Sequence, residues 1–357
     1  MKQRFAALDG LRGMAAVAVV AYHAGVELDL RGFLTVKGDP AVDLFFCISG
    51  FVLAFAHDKD IVERRLTATK FAIARWLRFL PIITLGAFLA LPAILLVPRD
   101  YPLIYQNIPD VLSFSLKLLA LSLFLIPVWL KSQLLFVNDV YWSLSVELIV
   151  NIAYAFQGNY LKERSVYAIW LLSAFVLLAL FAWLGSVNIH LTSPLSSFTC
   201  LVRGFASFFA GVVVFKFWQR GFRAPQVNPW LLIATASVPL LFPYSAPWFQ
   251  VPFDAFFILI IFPAVVWFGA SSTAAIDQPF SLVGEASFTL YGIHLPILYL
   301  AKEPFVGASL TTKLIFVSSF TLAMIPLSIL VATFFERPAR SFIRKIVTKD
   351  VKTRAAK

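Results

Sequence analysis

Apolar residues gather into eleven runs, near residues 13–29, 41–57, 77–97, 111–130, 139–157, 166–185, 198–218, 228–243, 251–270, 283–301 and 313–335. Most approach the roughly 20 residues an α-helix needs to cross a hydrocarbon core. The polar stretches between them are too short for a soluble domain, and no internal repeat is visible. The pattern predicts an all-α polytopic membrane protein, with residues 1–357 forming one integral-membrane domain.

Charge placement then fixes the number of crossings. The basic segments are 59–75, 162–164, 216–223 and the tail 337–357, together with Lys2 and Arg4. The positive-inside rule puts all of them, and hence both termini, in the cytoplasm. Segments on one side must be separated by an even number of crossings, yet three runs lie between the first two. The weakest is 111–130, which holds Lys117 and Pro127. Residues 98–138 are therefore predicted to be a re-entrant or interfacial excursion that begins and ends on the outer side. Such backbone is tolerated at depth only where protein or a water-filled cavity covers it. About ten transmembrane helices around a central cavity remain.

Composition agrees, with 60% hydrophobic residues, 14% charged, 37 Phe and a mean hydropathy of +0.83. A net charge of +11 accords with cytoplasmic loops and anionic lipid rather than nucleic acid, because no basic face interleaved with aromatics is present. Cys47 and Cys200 lie in apolar runs without ligand spacing, so neither a disulfide nor a metal site is expected. The first run carries Arg12 and His23 and has no small-residue cleavage site, so it is expected to stay as the first span.

Within the spans, ionisable groups are costly and become functional candidates. Arg12 and His23 are eleven residues apart, a rise of about 16 Å and a rotation only about 20° from three full turns, so they share one helix face. Snorkelling would also explain Arg12, and an interhelical hydrogen bond would explain His23. Ser49 with Gly50 allows close approach of a helix or a substrate. Glu147 sits two turns into its span, beside the interfacial Trp142. Arg203 and His294 are buried in apolar runs, and Arg75 and Arg78 lie three apart on one helix surface at the inner face, suited to phosphate.

The ordered set "LDGLRG" with His23, "DLFFCISGFVL", "RWLRFLP", "YWSLSVE", "SFTLYGIHLP" and "FERPAR" resembles the integral-membrane acyltransferase-3 family over residues 8–340. Phe288 and Gly292 depart from the usual Tyr and Leu, and the chain resembles the stand-alone branch without an SGNH-type domain. The resemblance implies a plasma-membrane enzyme that moves an acyl group, usually acetyl, from acyl-CoA to a hydroxyl of a cell-surface or lipid-linked glycan. It implies no tightly bound cofactor. It makes His23 and Arg12 the functional pair, with His23 as general base. Glu147 is the candidate to orient that imidazole or hold the sugar. Arg75, Arg78 and Ser49 would hold the donor, and Asp43, Trp142, Arg203 and His294 the acceptor. Membrane lipid is the remaining partner, and a homo-oligomer stays open. A transporter or flippase is the rival reading, but it predicts inverted repeats that the sequence lacks.

Overall fold

In the computed structural model the apolar runs become long helices, and the described residues are 4–30, 36–185, 193–243, 246–272 and 278–355. The helices that matter for the site are α1 (Ala6–Glu27), α2 (Asp39–Val62) and α3 (Ala68–Leu96). A short α4 (Pro102–Asn107) and α5 (Val111–Ser122) precede a hairpin of β1 (Val128–Leu130) and β2 (Gln133–Leu135), in which Trp129 pairs with Leu134. Then follow α6 (Tyr141–Tyr160), α7 (Arg164–Leu184), α8 (Pro194–Gln219), α9 (Pro229–Leu241), α10 (Pro247–Phe256), α11 (Phe262–Ser271), α12 (Gln278–Ala301), α13 (Leu310–Val331) and α14 (Arg337–Ala355).

Among the described residues six stretches are long and apolar enough to cross a membrane: α2, α3, α7, α8, the continuous Trp248–Ser271 and the continuous Leu310–Ile346. α1, α6 and α12, with 22, 20 and 24 residues, match them in length but carry more polar groups, and α9 is a shorter apolar helix of 13 residues. The protein is an all-α polytopic membrane protein.

Helix starts follow local chemistry. The Thr67 hydroxyl accepts from the Lys70 N–H at 3.4 Å, so α3 begins nine residues before its apolar run. The segment expected to be a basic loop to residue 75 is a loop only to residue 67, and Arg75 stands two turns inside the helix. Ser193 and Ser196 cap α8 reciprocally. The expected tail from residue 337 is a helix, α14, which continues α13 through a π-helical turn. Residues 356 and 357 lie outside the described residues.

The chain turns back within 98–138. α5 has 12 residues, about 18 Å, too short to cross a core of about 30 Å. α6 then runs antiparallel to α3. Near its start the Tyr141 hydroxyl donates to the Ile83 carbonyl at 2.6 Å, and near its end Asn159 Oδ1 accepts from the Ala68 N–H at 2.9 Å. The excursion is anchored to both helices. Trp76 Nε1 donates to the Leu123 carbonyl at 2.9 Å, its ring stacks on Phe124, and the Ser145 hydroxyl donates to the Leu125 carbonyl at 2.9 Å.

Two parallel pairs form the centre, α2 with α8 and α1 with α12. Small residues make both possible. A Cβ on Gly50 would overlap the Phe208 carbonyl, and one on Gly211 the Cys47 carbonyl, so these backbones touch without intervening side chains. At the other pair, Gly284 lies directly against the Asp9 backbone. One end of the bundle collects basic residues: Arg4 and Arg337 both pair with Glu285, Arg220 pairs with Glu163 at 3.0 Å, and the Arg64 Nε donates to the Asn159 carbonyl at 2.8 Å.

Replacing Gly211 with Ala forces α2 and α8 apart. The expected outcome is a loss of roughly 1–3 kcal/mol, read as a lower thermal midpoint of the detergent-solubilised protein. An unchanged midpoint would show that the pair has slack.

Candidate active site

Five helices line a cavity. α1 contributes Arg12, α2 Phe45, Ser49 and His57, α3 Arg75, Arg78 and Phe79, α6 Ser143 and Glu147, and α12 Phe288 and Tyr291. The chain thus brings together five of the residues singled out by sequence: Arg12, Ser49, Arg75, Arg78 and Glu147.

Their charges do not cancel. Glu147 Oε1 accepts from the Ser49 hydroxyl at 2.8 Å and from Arg75 at 3.2 Å. Arg340, from α14, donates through Nε to the Arg78 carbonyl at 3.1 Å, lies over the Phe288 ring and pairs with Glu336. Four guanidinium groups, Arg12, Arg75, Arg78 and Arg340, therefore stand within electrostatic range of one another. Among the described residues, neither Arg12 nor Arg78 has a carboxylate partner within salt-bridge distance. Such an end is an anion site, and planar guanidinium forks suit phosphate in particular.

At the far end the cavity is lined by aromatic residues. The Phe45 and Tyr291 rings lie 6.0 Å apart, and the Tyr291 hydroxyl is 2.5 Å from the Ser143 hydroxyl. His23 does not line this cavity, contrary to the expectation of one cavity running from Arg12 to His23. It lies one turn beyond, where its Nδ1 is 3.0 Å from Nε2 of the fully buried His294 and 3.0 Å from the Val19 carbonyl. His294 Nδ1 faces the Tyr291 carbonyl at 2.8 Å and the Leu290 carbonyl at 3.2 Å. The side chain that meets the His23 imidazole is therefore His294. The bonds of Glu147 go to Ser49 and Arg75 instead.

The remaining candidates stand elsewhere. Asp43 and Arg203 pair with each other, the two fully buried between α2 and α8. Ser207 also donates to Asp43 at 3.0 Å, and Arg203 donates to the Asp39 carbonyl at 3.2 Å. These contacts join α2 to α8. Trp142 packs half-buried against the core and does not line the cavity. Sequence reading missed His57, Tyr291, Ser143 and Arg340. Arg340 was hidden in a segment read as topology signal, whereas Tyr291 could have been found from its place one helical turn before His294.

Residues 5–333 match the acyltransferase-3 family, described as an acyltransferase domain, and the chain belongs to that family. It is 34% identical over 185 residues to "Protein 2 in picA locus" of Rhizobium radiobacter, a match covering 49% of this chain and 94% of that protein. No solved structure matches significantly. The protein is a multi-pass membrane acyltransferase by family.

Removing the Glu147 carboxylate leaves Arg75, only 8% exposed, without its counter-charge. Glu147→Ala is expected to cost up to about 3 kcal/mol of stability, softened by water reaching the cavity, and Glu147→Gln less, since it can still accept from Ser49. Paired thermal melts of the two variants check the order.

Proposed function

We propose that the protein transfers a short acyl group, acetyl in the simplest case, from acyl-CoA to a hydroxyl of a glycan. The basic end of the bundle faces the cytoplasm by the positive-inside rule, which places both termini there and suits a bacterial inner membrane. The observation that carries the reading is the cavity itself. Its cytoplasmic end holds Arg12 and Arg78, which have no carboxylate partner among the described residues, and its far end lies one helical turn from His23. A nucleotide with several phosphates fits the first feature. Its thin pantetheine arm would extend past Ser49 toward Tyr291, and the thioester would meet the acceptor where Phe45 and Tyr291 part.

The chemistry asks for a base on the acceptor side. A sugar hydroxyl is a poor nucleophile at neutral pH, and an imidazole can remove its proton as attack begins. In the proposed step the hydroxyl proton passes to His23 Nε2 while the oxygen bonds to the thioester carbon. The C–S bond then breaks, and the leaving thiolate takes the proton from the imidazolium to give CoA. Arg75 is held by Glu147 in the donor cavity, and Arg78 and Arg12 bind phosphate. Donor and acceptor reach the site from opposite faces, so the acyl group itself crosses the membrane.

Purified protein given radiolabelled acetyl-CoA and candidate glycans tests this reading. His23→Ala should lose roughly 10²- to 10⁴-fold in transfer rate with acetyl-CoA affinity retained, whereas Arg78→Ala should weaken acetyl-CoA binding. A wild-type protein that leaves the thioester intact with every acceptor would overturn the proposal. So would a folded His23→Ala variant with near-normal turnover.

A further inference from the structure

The hydrogen bonds that join the two histidines to each other and to carbonyls of their own helices agree on one arrangement of protons. His294 Nδ1 faces only carbonyl oxygens, of Tyr291 at 2.8 Å and Leu290 at 3.2 Å, and a carbonyl only accepts. That nitrogen must carry a hydrogen. His23 Nδ1 likewise faces the Val19 carbonyl at 3.0 Å, so it too carries a hydrogen. The two rings meet at 3.0 Å between His23 Nδ1 and His294 Nε2, and only one hydrogen fits between them. Because His23 Nδ1 already supplies it, His294 Nε2 is the acceptor and His294 is neutral. An imidazolium at 294 would set two donors against each other.

We infer that His294 is a positioning residue that fixes the His23 tautomer, holding the hydrogen on Nδ1 and the basic lone pair on Nε2. Without such a partner a neutral imidazole divides between two tautomers, and one of them places a hydrogen where a base needs a lone pair. His294 is suited to the task because it cannot rotate. It is fully buried, carbonyls on its own helix hold its Nδ1, and the close approach of α1 to α12 at Gly284 keeps the two rings in register. It also sustains the bond after proton uptake, since a His23 imidazolium still donates through Nδ1 to the His294 lone pair. No carboxylate contacts His294 among the described residues, so the support is dipolar rather than ionic. The nearest carboxylate of the cavity, Glu147, serves Arg75.

This inference deepens the acyl-transfer reading and rests on it for the kinetic consequence, but the tautomer is measurable without turnover. Nitrogen NMR of protein labelled with ¹⁵N-histidine, assigned by single substitutions of the four histidines, reports which ring nitrogen of His23 is protonated. In the resting wild type the expected result is hydrogen on Nδ1; hydrogen on Nε2 would overturn the inference and leave the transfer assay as it stood. In His294→Ala the Nε2-protonated form should become populated. Transfer should fall roughly 10- to 100-fold in kcat with acetyl-CoA affinity unchanged, less than complete loss because the Val19 carbonyl still favours Nδ1. His294→Gln, whose amide oxygen can accept from His23, should recover part of both signals, and it serves where the alanine variant does not fold. An unchanged His23 tautomer in folded His294→Ala, or no recovery of either signal in His294→Gln, would reduce His294 to packing. Loss of transfer in the wild type with hydrogen on Nδ1 would overturn the function and spare the tautomer assignment.

Discussion

A polar group buried in a lipid-spanning bundle must find its partner inside the protein, and that requirement organises this molecule. Several charges carried by the spans are met from a second helix or its end: Asp43 meets Arg203, Asp58 meets Lys216 at 2.8 Å, Glu147 meets Arg75, and Glu27 meets Lys302. Each pairing joins α2 to α8, α3 to α6, or α1 to the end of α12. The charged residues therefore specify which helices are neighbours, while apolar packing and small residues set how closely they lie. Arg12 and Arg78 are left over once this pairing is complete, and they face the cavity. Their lack of a carboxylate is informative because the rest of the bundle shows how consistently such groups are paired.

The depth of the site follows from two close helix approaches. Without side chains at Gly50 and Gly211, α2 and α8 form a rigid parallel pair, which presents Phe45 and Ser49 to the cavity. The second approach, at Gly284, presents His23 to His294. The cationic end and the histidine pair are consequently fixed by different helix pairs. Between them stand Phe45 and Tyr291, one from each pair, so motion between the two pairs would open the passage.

The helical bundle was readable from the hydrophobic runs, because they reflect the bilayer more than any particular packing. The excursion at 98–138 was readable for the same reason. The cavity arginines were found because arginine in an apolar run is conspicuous. What the sequence did not disclose was pairing. Nothing in the one-dimensional order says that Glu147 spends its oxygen on Ser49 and Arg75, or that His294 and not Glu147 reaches His23. Asp43 and Arg203 looked like candidates for the same reason that Arg75 did, and only the geometry separates a closed ion pair from a lining residue. Arg340 was missed because a basic tail has an adequate explanation in topology alone.

The anchoring of the outer excursion bears on how such a protein can diversify. Trp76, next to Arg75, and Ser145, two residues before Glu147, hold the segment through the backbone carbonyls of Leu123 and Leu125. A carbonyl is present whatever the side chain, so the identities of residues in that stretch can drift while the tether persists. The wall behind the Arg75 and Glu147 pair is thus insulated from sequence change on the outer surface. A lineage could remodel the exposed face of this segment without disturbing the chamber beneath it.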